Sequence, residues 1–181
     1  MNPSGKRPPV VHYRLGRASP AIKVLTTGAL VLTLIGIIIT FFFAHKQNGL
    51  SIEGLTAHYA GGDELAEGTQ LYFAIDYETL LRITHVHAFG MGMLLYIYGH
   101  MLTLTARSER FKVWVIAAMF GGLAAFLASL WLIRYLSPVF GVLFLAGFLA
   151  ALGGLAVTAW CVLWETWFAG EKGEYRPPVT G

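Results

Sequence analysis

The chain has 181 residues, of which 56% are apolar and only 13% are charged, and its formal net charge is +3. An average soluble domain carries about 25% charged residues, so this composition excludes a disordered chain, a basic nucleic-acid-binding domain and an ordinary cytoplasmic enzyme. The mean hydropathy of +0.61 points the same way. We therefore expect an integral membrane protein, in contact with the lipid bilayer and with no nucleic-acid partner.

Four apolar segments follow one another along the chain, and each is long enough to cross a bilayer. About 20 apolar residues in a helix match a hydrocarbon core of about 30 Å. The predicted spans are residues 24–44, 79–106, 113–133 and 139–164. Asp76 is the predicted N-cap of the second span, and the fourth begins after Ser137-Pro138, because proline cannot continue a helix from the preceding turn. The sequence predicts an all-α, four-helix membrane bundle.

The positions of the basic residues predict how this bundle is oriented. Ten of them fall in the two tails or between the second and third spans: Lys6, Arg7, Arg14, Arg17, Lys23, Arg107, Arg110, Lys112, Lys172 and Arg176. The loop at 45–78 is mainly acidic instead. Cytoplasmic loops of membrane proteins are enriched in Lys and Arg. We therefore expect cytoplasmic tails at 1–20 and 170–181, on either side of a membrane domain at 21–169.

The outer loop at 45–78 is longer than a simple connection between helices needs. Residues 50–59 are predicted to form a short helix on the membrane surface, which Gly61-Gly62 then ends. The acidic residues of the loop are a candidate docking site for a basic soluble partner such as a c-type cytochrome. A solvated loop without a partner is the alternative interpretation.

Small residues recur at every fourth position in the third and fourth spans. The predicted rows are Ala117, Gly121, Ala125 and Ser129 in one span and Ala146, Ala150, Gly154 and Thr158 in the other. No hydrophobic force joins helices in lipid, so small residues favour association by letting backbones approach closely. With a connection of only a few residues, the two spans are predicted to pack antiparallel through these rows.

Histidines in the second span are the main candidates for function, because an imidazole at membrane depth is costly without a partner. His85 and His100 share one helix face, about 22 Å apart by the helical rise, with Gly92 between them, whereas His87 points roughly the other way. A b-type haem is held by axial histidines, and a glycine lets the flat macrocycle approach the backbone. The sequence predicts haem b held near the outer end by His85 or His87.

The second axial ligand of such a haem has two candidates. His45 ends the first span at a suitable depth, and His58 lies in the outer loop. Arg134, at the outer end of the third span, is a candidate partner for a haem propionate or a loop carboxylate. His100 has no counterpart in the other spans, which argues against two haems in one chain. A second haem would need a ligand from another subunit or a five-coordinate iron.

Three alternatives remain open for these polar residues. The outer end of the second span is also a candidate quinone site, because histidine exchanges protons near neutral pH; its residues are Asp76, Glu78, Arg82, His85 and His87. A copper or zinc site is weaker, because His85 and His87 lie on opposite helix faces. In the third alternative, the histidines only make hydrogen bonds inside the bundle.

The segment Leu80-Leu-Arg-Ile-Thr-His-Val-His-Ala-Phe-Gly-Met, followed by Gly99-His100 and preceded by His58-Tyr59, resembles part of a known group of proteins. These are small four-helix proteins of the bacterial inner membrane with a Thr-His-x-His motif on the second helix, some of them associated with respiratory or c-type cytochrome systems. The resemblance covers residues 50–106. The chain also loosely resembles four-helix b-type cytochromes of membrane oxidoreductases, but it lacks their inner partner histidine.

From the residues and this resemblance we expect a multi-pass protein of the bacterial inner membrane with both termini in the cytoplasm. Its predicted function is that of a membrane subunit of an electron-transfer complex, binding haem b or quinone and contacting other membrane subunits. The alternative is an accessory subunit of a respiratory or photosynthetic complex. A transporter ranks lower, because no span is broken by proline. A stand-alone enzyme is not favoured, and the lone Cys161 forms neither an intrachain disulfide nor a thiolate metal site.

Overall fold

A computed structural model describes residues 15–48, 51–62 and 73–169, and every regular element in this part of the chain is helical. The five α-helices are α1 (Pro20–Asn48), α2 (Ile52–Ala60), α3 (Tyr77–Thr103), α4 (Glu109–Tyr135) and α5 (Gly141–Trp167). The helices α1, α3, α4 and α5 are long and apolar enough to cross a membrane. The predicted all-α class with four spans is therefore confirmed. The predictions for residues 1–14, 170–181 and the acidic segment 63–72 lie outside the described residues.

Polar side chains define where the helices begin. The first amides of a helix have no partner within it, so a side-chain oxygen just before the helix satisfies one of them. Asp76 accepts a hydrogen bond from the Thr79 amide at 2.9 Å, which confirms the predicted N-cap of α3. Ser51 does the same for α2 at 2.9 Å. A short helix is thus present in the segment where the sequence predicts one, and it ends at Gly61, whose φ of +84° suits glycine.

The helices α4 and α5 form the closest pair in the fold, antiparallel and joined by a short turn. Their backbones nearly touch where two glycines face each other. A Cβ atom built on Gly122 would lie 2.6 Å from the Ala151 nitrogen, and one on Gly147 would lie 2.6 Å from the Phe126 nitrogen. No side chain fits at either position, so these glycines permit the close approach.

This contact corrects the predicted rows of small residues. Ser129, Gly154 and Thr158 are buried as expected. Gly121 is instead exposed, with no described atom within 4 Å of a Cβ built on it, and Ala117, Ala146 and Ala150 are also exposed. Successive helix residues point about 100° apart, so the contact uses Gly122 and Gly147, each one residue later than the predicted position.

The core of the bundle lies where α3, α4 and α5 meet, and α1 is attached at its edge. The buried cluster comprises Leu15, Leu30, Leu95, Tyr98, Met119, Leu123, Phe126, Leu155 and Val162. No Cα atom of α1 comes within 8 Å of one in α3. Instead, the hydroxyl of Tyr98 on α3 donates to the Thr33 hydroxyl of α1 at 2.7 Å. Most other side chains of α1 are exposed, as expected of a helix that faces lipid.

Two buried charged residues form hydrogen bonds with the backbone at and just after Thr103, where α3 ends. The Lys112 ammonium donates to the Thr103 carbonyl at 3.0 Å and to the Glu109 carboxylate at 2.9 Å. The Glu165 carboxylate of α5 accepts from the Ala106 amide at 2.6 Å. These bonds satisfy backbone groups that the end of the helix leaves without partners.

Candidate functional site

The candidate imidazoles of α3 lie on two different sides of the helix, as their spacing predicts. We call His85, Phe89, Gly92, Tyr96 and His100 the histidine face. Phe89 is 70% exposed and Tyr96 is 64% exposed, and both histidines of this face are exposed as well. The face therefore points away from the other helices of the chain, and α3 is also the least apolar of the four spans.

Each imidazole of the histidine face contacts a ring of its own helix. The His85 ring lies 4.9 Å from that of Phe89, and the His100 ring is stacked 6.5 Å from that of Tyr96. No hydrogen bond joins His85 to a described residue. Between the two histidines, a Cβ atom on Gly92 would meet no described atom within 4 Å. The backbone is therefore open at this glycine.

His87 is half-buried on the side of α3 that packs against α4. Its Nδ1 atom lies 2.8 Å from the Ile83 carbonyl. A carbonyl only accepts hydrogen bonds, so Nδ1 is the donor in this contact. The His87 ring lies 5.8 Å from the Phe126 ring of α4. His85 and His87 thus lie in different surroundings, one open and one packed.

His45 and His58, the two candidates for a second axial ligand, lie on different helices. His45 is exposed near the end of α1, and no hydrogen bond or ring contact joins it to a described residue. His58 is half-buried on α2, with its ring 5.1 Å from that of Tyr59. Burial lowers the pKa of His58, which favours its neutral form. The structure places neither of them in contact with His85.

A chain of aromatic rings leads from α2 to His87. The Tyr59 ring lies 6.4 Å from Phe144 of α5, which lies 4.8 Å from Phe126 of α4. Phe126 is in turn the neighbour of His87. The sequence analysis missed this cluster, because its members come from four separate helices and no spacing along the chain connects them.

Arg134 holds the end of α4 against the segment that precedes α3. Its Nε atom donates to the Ile75 carbonyl at 2.7 Å, and its guanidinium lies 5.2 Å from the Tyr135 ring. The neighbouring Asp76 has its pKa held below the ordinary value, first by the Thr79 backbone amide and then by the Thr79 side chain. Glu78 and Arg82, the other members of the predicted quinone cluster, are exposed on α3.

No three His, Cys, Asp or Glu side chains come together as a metal-binding group within residues 15–48, 51–62 and 73–169. Cys161, the only cysteine, is buried and free. The histidine face presents two imidazoles that the other described helices leave uncovered.

Comparison with known proteins identifies part of the chain. A family model described as a transmembrane helical domain matches residues 49–173. The match begins directly after α1 and contains α2, α3, α4 and α5. No curated protein and no solved structure matches the chain significantly.

Proposed function

The chain belongs to the Aq_1264_TM family of transmembrane helical domains, and on this premise we propose that it is a membrane subunit of an electron-transfer complex. The proposed site is the half of the histidine face nearest Asp76, which the charge distribution predicts to be the outer half. Haem b or a quinone binds there, between α3 and the subunit that covers it.

The exposure of His85 on a membrane span is the observation that carries this proposal. A polar ring facing lipid tails loses its hydrogen bonds to water and raises the free energy of the protein. A cover of protein, a prosthetic group or a quinone headgroup removes that penalty. The exposed side chains of α1 give a contrast, because residues such as Leu32, Ile39 and Phe42 are apolar and suit contact with lipid.

The residues of this face fit one side of a haem. His85 has no hydrogen-bond partner among the described residues, and the open backbone at Gly92 lies about 10 Å further along the helix by its rise per residue. A bound haem supplies one-electron transfer. In this proposal His85 would hold the haem iron from α3, together with a residue of the covering subunit. For a quinone, the His85 imidazole donates a hydrogen bond to a carbonyl oxygen instead.

A reduced-minus-oxidised visible spectrum tests the proposal on protein purified in mild detergent together with its partners. We expect a haem α-band that disappears in His85→Ala and persists in the matched control His87→Ala, whose imidazole is already bonded to its own backbone. Solvent extracts of the same samples are assayed for quinone. Loss of the band in His87→Ala alone contradicts the assignment of His85. A colourless wild-type sample without quinone contradicts the proposal as a whole.

The second candidate function is an accessory subunit without a redox group. It is favoured by polar side chains that find partners inside the chain: His87 bonds to the Ile83 carbonyl, and the Trp131 indole donates to the Thr84 hydroxyl at 2.9 Å. Here the histidine face packs directly on a neighbouring subunit. A colourless preparation that retains other membrane chains through detergent washing supports this candidate.

A further inference from the structure

We infer that a second copy of this chain covers the histidine face. Two copies pair through α3 about a twofold axis along the membrane normal, so that His85 faces the partner's His85 and His100 faces the partner's His100. This inference rests on the proposed function and deepens it, because it identifies the covering subunit.

The spacing of the residues on one side of α3, all exposed except the half-buried Gly92, suits such a pair. Glu78, Arg82, His85, Phe89, Gly92 and Tyr96 follow one another at steps of 4, 3, 4, 3 and 4 residues, and His100 continues the line after 4 more. These steps average about 3.7 residues, close to the 3.67 of an eleven-residue repeat, which keeps one line of side chains against a parallel helix in a right-handed pair. The line runs through most of α3, so one contact with a parallel helix covers both imidazoles.

The charged residues at the start of this line can form ion pairs between two copies related by a twofold axis. Glu78 and Arg82 lie one helical turn apart and are both exposed, and neither forms an ion pair with a described residue. In a twofold interface the same surface patch lies on both subunits. If one residue of the first copy contacts a second residue of the partner, the same contact occurs with the two copies exchanged. The two residues differ in depth by about 6 Å along the helix, so in the pair Glu78 reaches along the axis to the partner's Arg82, and Arg82 reaches to the partner's Glu78.

The two imidazoles also favour an identical partner over an unrelated one. Each lies at its own depth, about 22 Å apart by the helical rise. Since a twofold axis along the membrane normal preserves depth and orientation, a second copy supplies an imidazole opposite each of them. It thereby also provides the counterpart that His100 lacks within the other spans. An unrelated subunit would need matching polar groups at both depths.

Cysteine cross-linking in native membranes tests the pairing. In a Cys161→Ser background, Phe89→Cys places one thiol on the histidine face, where Phe89 is 70% exposed. The matched control is Phe42→Cys on α1, where the same residue type is 72% exposed. Copper-phenanthroline detects thiols in direct contact, and bismaleimide linkers of graded length detect faces held apart by a bound group. We expect most of the Phe89→Cys chain to run at twice its mass, with only a trace for Phe42→Cys.

Charge exchange at the predicted ion pairs gives a second test. Glu78→Arg is expected to reduce the cross-linked fraction of Phe89→Cys several-fold, because it places four arginines together at the start of the paired helices. Adding Arg82→Glu restores opposite charges and is expected to restore cross-linking. Failure of the double exchange to recover the cross-link, while the single exchange abolishes it, contradicts the reciprocal pairing.

The other outcomes separate this inference from the proposed function. Cross-linking of Phe89→Cys to a chain of a different mass overturns the twofold pair and leaves the proposed function standing. Equal traces from Phe89→Cys and Phe42→Cys, with a wild-type mass of one chain in native mass spectrometry, also overturn the pair. A cross-linked dimer without haem or quinone supports the pair and contradicts the proposed function.

Discussion

At the scale of single residues, two adjacent glycines of α4 have opposite surroundings. Gly122 lies against the backbone of α5, where an added Cβ would be 2.6 Å from the Ala151 nitrogen, whereas Gly121 has no described atom within 4 Å of its own. Both occupy the interior of the same helix, so their intrinsic effects on helix stability are equal. Any difference between their alanine variants therefore measures the contact between helices.

We predict that Gly122→Ala lowers the free energy of unfolding by about 1–3 kcal/mol, because the added methyl group forces the α4 and α5 backbones apart. Gly121→Ala is expected to leave it unchanged or to raise it by up to about 1 kcal/mol, since alanine favours helix. The buried Cys161 thiol, 4% exposed, provides the assay through its rate of alkylation on heating in detergent. Equal changes in both variants would contradict the observed contact.

These glycines also show which features of the fold can be predicted from the sequence and which cannot. The length and apolarity of the spans and the capping side chain of Asp76 are local properties, so they were predicted correctly. The choice between Gly121 and Gly122 depends on a rotation of about 100° that only the neighbouring helix determines. Helical spacing correctly predicts that His85 and His87 lie on different faces of α3. That His85 is exposed and His87 is packed depends on the position of α4, which the spacing does not determine.

At the scale of elements, α1 is joined to α3 by the Tyr98 hydroxyl, which lies within hydrogen-bond distance of both the Thr33 hydroxyl and the Ala29 carbonyl, rather than by close backbone packing. The Tyr98 hydroxyl donates to Thr33 at 2.7 Å, and the Thr33 hydroxyl donates to the Ala29 carbonyl at 2.9 Å. Tyr98 is only 2% exposed, so this hydroxyl has no access to water. The sequence analysis did not identify this contact, because tyrosines occur both in cores and at membrane interfaces.

We predict that Tyr98→Phe and Thr33→Val each lower stability by roughly 1 kcal/mol, the usual scale for a hydrogen bond between membrane helices. The double variant is expected to lose less than the sum, because both changes remove the same bond. Thr40→Val is the matched control, since the Thr40 hydroxyl bonds only to the Gly36 carbonyl of its own helix, at 2.9 Å. Additive losses in detergent unfolding would count against a direct bond.

The start of α3 gives a prediction that depends on pH. The Thr79 amide and hydroxyl hold the pKa of Asp76 below its ordinary value of 3.8. The carboxylate therefore stabilises the folded state at any pH above that value, and this stabilisation is lost as the pH falls through the lower, folded-state pKa. We expect the melting temperature of the wild type to fall more over this acid range than that of Asp76→Asn, whose amide still accepts a hydrogen bond but does not titrate. Parallel pH profiles would contradict this role of the carboxylate.

At the scale of the whole molecule, basic residues gather at one end of the bundle. The Lys23 ammonium lies 5.5 Å from the Trp167 ring, so α1 begins where α5 ends. The Leu15 amide donates to the Leu104 carbonyl at 3.4 Å, which brings the connection between α3 and α4, with its basic residues, to the same end. Asp76 and Glu78 lie at the opposite end of α3.

From this distribution we predict that the basic end lies in the cytoplasm, following the positive-inside rule. A green fluorescent protein fused after Gly181 is expected to fluoresce in a bacterial host, and alkaline phosphatase fused at the same position is expected to be inactive. Insertion of the phosphatase between Gly62 and Phe73, in the predicted outer loop, provides the control and is expected to be active. The reverse pattern would contradict the predicted orientation.

The peripheral position of α1 has a consequence for biogenesis. This helix leaves the ribosome before α5, yet it packs on α5, and about 90 residues separate the end of the one from the start of the other. At synthesis rates of about 5–20 residues per second this gap lasts roughly 5–20 s. Throughout that interval α1 resides in the bilayer before its main intrachain neighbour is synthesised, and its uninterrupted apolar surface makes such a solitary intermediate stable. The contact between α1 and α5 therefore forms only after α5 has been synthesised.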